Sequence, residues 1–221
     1  NIFIIEMNFI QLKELIQEGE STTLEFKRKF TTQGKIAKEI SAFANTKGGY
    51  ILFGIDDNGY VYGVESEKGE IEQIIEACSF HIEPAVEPLV EIFELYGKDI
   101  IALYIEESKN KPHKIIIDGD TNSNTYIRVG EQSVIASKEM VKVLEGRNPN
   151  SKPIKLSIGK NEKRLFQFLE KNHKVTVQDF SKICNISKRR ASQLIVRLVR
   201  AGVLNIHQDA NTDYFTLVER L

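Results

Sequence analysis

Apolar positions recur along this chain at two spacings, and the switches between them mark out its elements. Residues 8–18 place Phe9, Leu12, Leu15 and Ile16 on one helical face, with Asn8 positioned to cap and Gly19 to stop. Thr22–Phe26 reads as a short strand. Gly34–Thr46 returns to helical spacing through Ile36, Ile40, Phe43 and Ala44 and ends on Gly48-Gly49. Tyr50–Ile55 is an apolar strand, Asp56-Asp57-Asn58-Gly59 is turn chemistry, and Tyr60–Val64 is expected to return as the partner strand of a hairpin. Glu70–His81 predicts a helix, followed by a segment punctuated by Pro84 and Pro88. Val90–Leu95 and Ile100–Ile105 predict a second hairpin. His113–Ile117 and Thr125–Val129 predict strands around the polar loop Asp118–Asn124, and Ser137 caps a short helix ending near Gly146.

Arg147–Pro153 is polar and carries two prolines, which marks a linker. Beyond it the pattern predicts helices over Asn161–Lys171, Val177–Cys184 (capped by Thr176) and Lys188–Ala201 (capped by Ser187, stopped by Gly202). Strands Val203–His207 and Tyr214–Val218 follow. This is the element order of a winged helix-turn-helix, with Asn185-Ile186-Ser187 as the turn. In the third helix Ala191, Leu194, Ile195 and Leu198 follow the i, i+3, i+4, i+7 spacing of a core face. Lys188, Arg189, Arg190, Ser192, Gln193, Arg197 and Arg200 lie off that face. A helix entering a major groove reads guanine with Arg and adenine with Gln, and neutralises phosphate with the remaining cations. Arg189, Arg190 and Gln193 are therefore the candidates for base edges, and Lys188, Arg197, Lys163 and Arg164 for phosphates.

Charge sharpens the division. The chain carries 30 Lys/Arg and 31 Asp/Glu, a net −1. From Ser151 onward, however, 14 basic residues face 6 acidic ones, a net +8, which leaves 16 against 25, a net −9, before it. The basic end is the natural partner for a polyanion. Cys78 and Cys184 are far apart and without CxxC spacing, which excludes a disulfide framework and a four-cysteine zinc site and fits a reducing, cytoplasmic setting. No apolar run approaches the ~20 residues that cross a bilayer, so no membrane partner is expected. The opening Asn1–Glu6 lacks the basic flank and cleavage site of a signal peptide and, preceding Met7, reads as an upstream extension.

Three stretches of the acidic part carry a family pattern: Glu20-Ser21-Thr22-Thr23-Leu24-Glu25-Phe26-Lys27, Ala42–Gly59 with its Asn45-Thr46-Lys47-Gly48-Gly49 core extended to Gly63-Val64, and Tyr126-Ile127-Arg128-Val129-Gly130. In this order they resemble the Schlafen-type AlbA-like domain, once labelled a divergent AAA-like ATP-binding domain. The resemblance covers roughly residues 8–146. It implies an α+β fold with a mixed sheet. In vertebrate Schlafens the domain is an endoribonuclease with a Glu, Glu, Asp trio, which the resemblance carries onto Glu20, Glu25 and Asp56, with Asp57 as a substitute in the third role. Such a trio would suit Mg²⁺ or Mn²⁺. Two departures stand against a simple transfer. The domain occurs once and not as a tandem pair, and the Cys/His set of the structural zinc is missing; a homodimer could rebuild the groove.

The residues themselves leave other roles open. Glu20 can cap or exit a helix, Glu25 can pair with Lys27 or Arg28, and Asp56 can simply make the turn. Asn45 and Thr46 can bond freed helix-end carbonyls or cap the reversal. A local basic strip of Lys27, Arg28, Lys29, Lys35, Lys38, Lys47 and Arg128 would offset the acidic charge; Lys27 and Arg128 are its leading nucleic-acid candidates. No G-x4-GK[ST] is present, which argues against ATP. His81 and His113 lack ligand-spaced partners.

The expected organisation is thus a Schlafen-type AlbA-like domain over 8–146, a linker over 147–157 and a small winged-helix domain over 158–221. The leading reading is a DNA-binding transcriptional regulator that needs no cofactor for binding. Whether it is an enzyme stays open, the alternative being a metal-dependent endoribonuclease acting on structured RNA. A protein-interaction scaffold is the reading without nucleic acid.

Overall fold

The computed structural model describes residues 7–116, 124–209 and 212–218. The polar loop expected at 118–124 and the tip of the last hairpin lie largely outside them. Two compact units emerge, one formed by 1–108 with 113–134 and the other by 109–112 with 135–221.

In the first unit, helix α1 (Phe9–Glu18) starts on a full capping box in which Asn8 and Gln11 satisfy each other's backbone N–H groups. Strand β1 (Leu24–Lys27) precedes α2 (Gln33–Asn45), β2 (Gly49–Phe53) and α3 (Glu67–Phe80). The remaining strands are β3 (Ile82–Glu83), β4 (Leu89–Leu95), β5 (Lys98–Ile105), β6 (Lys114–Ile115), β7 (Tyr126–Val129) and β8 (Gln132–Ile135). The main sheet runs β1-β2-β5-β4 and is mixed: β1 and β2 are parallel, the other pairs antiparallel. Period-two alternation sorts its side chains between two cores. Ile51, Phe53, Ile101, Leu103 and Ile105 pack under Ile36, Ile40 and Phe43 of α2 and Ile74 and Ala77 of α3. Leu24, Phe26, Leu52, Ile100 and Ala102 face the other way, against Leu12 of α1.

The expected hairpin partner of β2 is not a strand. Tyr60–Val64 touches it through the single bridge Ile55–Val61, while the amides of Tyr62 and Gly63 both donate to the Gly54 carbonyl. The flanks of β2 are already occupied by β1 and β5, so no ladder edge remains for a third strand. The β4–β5 hairpin forms as the pattern predicts. Across the polar loop the expected pairing is reduced to the bridge Lys114–Thr125; Tyr126–Val129 pairs forward with β8, and β6 is only two residues long and pairs with β3.

Gly48-Gly49 is a structural hinge. Both residues have positive φ, and a Cβ on either would run into backbone, at Ile105 for Gly48 and Thr23 for Gly49. Asn45 neither caps α2 nor bonds its freed carbonyls. Its side-chain amide donates to the carbonyls of His113 (2.8 Å) and Tyr126 (2.9 Å), and its oxygen accepts from the His113 amide (2.8 Å). Thr46 does serve the helix end, donating to the Ala42 carbonyl, and it also accepts the Arg128 amide (2.9 Å). One fully buried asparagine thereby stitches α2 to two segments distant in sequence.

The second unit contains α4 (Lys138–Arg147), α5 (Lys160–Asn172), α6 (Val177–Cys184), α7 (Lys188–Arg200), β9 (Leu204–Gln208) and β10 (Asp213–Leu217), the last two forming an antiparallel hairpin. Leu165, Leu169, Phe180, Ala191, Leu194, Ile195, Leu198 and Phe215 form its core. Helix α4, expected to close the first domain, instead belongs here: Val143 joins this core, and Ser192 of α7 donates to Glu139 (2.7 Å). Seven helices and a mixed sheet make the described chain an α+β protein. No helix among the described residues is long and apolar enough to cross a membrane.

Asn45→Ala should strand the two carbonyls and the amide in the interior, at a cost of about 1–3 kcal/mol for each group left unpaired. Urea denaturation should show a drop of that order or more, whereas Asn58→Ala in the exposed turn should change little.

Candidate nucleic-acid interface

Helix α7 is built with three cations in its first turn. Ser187 caps it by accepting the Arg190 amide (3.2 Å), and no acidic residue occupies that turn. Basic side chains at a helix N-terminus oppose the helix dipole. Among the described residues Lys188, Arg189 and Arg190 make no ion pair, and all three are exposed, as are Gln193, Lys163 and Arg164. The arrangement does nothing for the helix itself and leaves positive charge open to solvent.

Buried positions cover more of α7 than its core stripe requires. Ser192, Val196 and Val199 are buried as well, because α4 lies along that side. The start of α4 is tied to the β9–β10 hairpin: the Ser137 amide donates to Gln208 (2.9 Å), the Ser137 hydroxyl to Asp213, and the Gln208 amide to the Ile135 carbonyl (2.6 Å). The 148–157 segment, which follows α4, is strapped to α7 as well. Arg197 donates to the Lys155 carbonyl (2.7 Å) and Arg200 to the Lys152 carbonyl (3.2 Å). Arg197, expected to meet phosphate, is thus half-buried and holds backbone, though among the described residues it makes no ion pair. What stays open is the first two turns, Lys188 to Gln193.

This surface continues into a concavity of about 480 Å³ lined by Lys142, Lys152, Arg190, Gln193, Arg197 and Arg200, with Glu145 as its one carboxylate. Lys142 and Lys152 could not be singled out from the sequence because they lie on α4 and the linker, away from the helix whose periodicity exposes its cations. The larger hollow toward the hairpin, about 1030 Å³, is mixed in sign. Lys138, Lys188 and Arg189 share it with Glu139, Asp179, Asp209 and Asp213. Positive potential is therefore concentrated on the α4–linker side of α7.

In the first unit the carboxylate trio does not come together as a donor set. Glu25 alternates away from Leu24 and Phe26, so the strand delivers its carboxylate to the α2 face. There it is buried and accepts from Arg128 (2.8 Å) and from Lys27. Arg128 also bonds the Ser21 carbonyl (2.7 Å), reaches Glu39 of α2 (3.4 Å), and sits 4.7 Å from the Phe43 ring centroid. Its side chain is wholly buried. Neither Arg128 nor Lys27 is thus the open basic group that the sequence suggested; both neutralise Glu25. Glu20 accepts the Phe26 amide (2.8 Å). Partial burial, together with the charges of Glu25 and Asp57, pushes its carboxyl above the ordinary range, against the lowering effect of that amide and of Lys27. Asp57, and not Asp56, is the aspartate it feels; Asp56 closes the turn by accepting the Gly59 amide (2.7 Å). Among the described residues no three His, Cys, Asp or Glu side chains form a group able to hold a metal ion. The side chains present do not fit Mg²⁺ or Mn²⁺, since the central carboxylate is already neutralised by two cations.

A family model described as Schlafen, AlbA_2 matches residues 20–137, just over half of the chain. The crystal structure of the DIP2311 protein from Corynebacterium diphtheriae is similar at 19% identity and a TM-score of 0.45, covering 63% of this chain and 32% of that one. The chain thus spans about a third of that protein's length. The solution structure of the N-terminal domain of a RecG-related protein from Nitrosomonas europaea, named for an ATP-dependent DNA helicase, is 25% identical with a TM-score of 0.41. It covers 54% of this chain and 88% of that one.

Arg128→Ala should destabilise the protein by about 3–5 kcal/mol, since it leaves buried carboxylates without their counter-charge. Adding Glu25→Ala should recover part of the loss in a denaturant double-mutant cycle. For Glu20 the raised carboxyl means that its contribution to stability is present below the ordinary carboxylate value and is lost as pH rises through the folded one. Glu20→Gln should therefore raise the denaturation midpoint at pH 7, and that gain should vanish when the midpoint is measured in acid.

Proposed function

The chain belongs to the Schlafen, AlbA_2 family, and from that premise we propose that it is a nucleic-acid-binding protein, a DNA-binding regulator whose second unit works as a winged helix-turn-helix module. The observation that carries this reading is the unpaired positive charge on and beside α7. Of the three cations at the start of the helix, Arg190 lines a concavity where five basic side chains stand with one carboxylate, while Lys188 and Arg189 open onto the hollow of mixed sign. In this reading Arg189, Arg190 and Gln193 present donors to base edges, while Lys142, Lys152, Lys188, Lys163 and Arg164 neutralise phosphates. The helix order α5-α6-α7, the three-residue turn Asn185-Ile186-Ser187 and the β9–β10 hairpin support the module assignment.

The proposed partner is duplex DNA, because an exposed helix N-terminus bearing Arg and Gln suits the major groove of B-form DNA. The major groove of A-form RNA is too deep and narrow for side chains to read. No cleavage step is assigned to Glu20, Glu25 and Asp56. Glu25 and Arg128 act in this reading as a structural pair.

Duplex binding should weaken linearly on a log–log plot against salt. Lys142→Ala/Lys188→Ala should lower the slope by roughly 2, about 0.9 for each phosphate no longer neutralised, whereas Arg189→Ala/Arg190→Ala should relax sequence preference. A slope equal to that of the unaltered protein, measured by fluorescence anisotropy, would remove α7 from the interface.

A further inference from the structure

A second site stands in the first unit, apart from α7. After β2 the chain returns through Tyr60-Val61-Tyr62. Val61 points inward, bridged to Ile55 and packed on the α1-side core, so its two neighbours are turned outward. Tyr60 is 56% and Tyr62 39% exposed, and their rings meet edge to face with centroids 4.7 Å apart. Cations surround them: the Arg28 guanidinium lies 3.8 Å from the Tyr62 centroid, and Lys98 reaches within 5.3 Å of Tyr60 and 5.8 Å of Tyr62. Tyr62 and Arg28 open onto a cleft of about 550 Å³ whose other walls include Lys29, Glu65, Glu70 and Gln73.

Exposed aromatic rings interleaved with Arg and Lys meet the two needs of an unpaired nucleotide. The faces of the rings and of the guanidinium accept a base by stacking, and the cations accept its phosphate. We infer that the Tyr60–Tyr62–Arg28 platform binds an unpaired nucleotide within a single-stranded nucleic acid. The cleft sets the direction. Glu65 repels phosphate, while Glu70 accepts the Phe30 amide (2.9 Å) beside Lys29, so the backbone runs along Arg28 and Lys98 and the base edge turns toward the acidic wall. There carboxylates accept from ring and exocyclic N–H groups. A duplex offers no free base face, so the platform selects single strands. This site therefore complements the duplex-binding surface proposed for α7 and does not depend on it.

The chain contains no Trp, so Tyr62→Trp in this chain installs a single reporter that keeps the stacking surface. Single-stranded oligoadenylate should quench its fluorescence, whereas the same strand annealed to its complement, an abasic strand of equal length, and AMP should quench it far less. Tyr60→Ala/Tyr62→Ala should weaken single-strand binding by roughly tenfold to a hundredfold in anisotropy with unchanged circular dichroism, since neither ring belongs to a core. In the Tyr62→Trp background, Arg189→Ala/Arg190→Ala should leave the quench intact whatever it does to duplex binding. Equal quenching by the abasic strand would reduce the site to charge alone, and equal quenching by AMP would make it a free-nucleotide site. No quench at all, or a quench lost with the α7 arginines, would equally overturn the assignment.

Discussion

The first unit is organised by one electrostatic demand. A four-residue strand at the edge of the main sheet alternates two apolar side chains toward one core, and the residue between them is Glu25. Alternation leaves that carboxylate no route to water, and an unpaired buried charge would cost more than the strand gains from its apolar neighbours. Arg128 answers it from 103 residues away and draws in Glu39, Ser133 and the Ser21 carbonyl. Through this contact β7 is held against both β1 and α2, and Asn45 secures the same junction from the other side. The charge cluster and the asparagine act together as the fastening of the late strands onto the sheet.

This arrangement separates scaffold from surface. The motif positions that carry the family pattern, Glu20, Glu25, Asn45, Gly48-Gly49 and Arg128, prove to be fixtures of folding in this chain: they are bonded to backbone, ion-paired, or required by close backbone approach. Groups left facing solvent with chemistry to spare include the first turn of α7, the lysines of α4 and the linker, and Tyr60 and Tyr62 after the Asp56–Gly59 turn.

Much of this was legible in the sequence, and the misses have identifiable causes. Helices declare themselves through local periodicity and caps, so Asn8, Thr176 and Ser187 mark their starts correctly. The exposure of Lys188, Arg189, Arg190 and Gln193 follows from the same periodicity. Partners far apart in sequence leave no such trace. The sequence suggested Lys27 as a counter-charge for Glu25, and that pair forms, but nothing local points to Arg128. The Tyr60–Val64 segment carries strand chemistry yet loses its ladder to β1 and β5, an outcome decided by sheet order. Helix α4 has an apolar stripe whose destination, the side of α7, lies beyond a proline-bearing linker that seemed to separate them.

The crowding of like charge at the start of α7 has one more consequence. Mutual repulsion and the helix dipole both work against that turn, and dissolved electrolyte screens both. Added salt therefore tightens the fold of the very turn whose proposed grip on a polyanion it would loosen. The ion-free condition that favours capture is the one in which this end of the helix is most inclined to fray, so an arriving phosphate backbone would act as the missing counter-ion and order the turn as it docks.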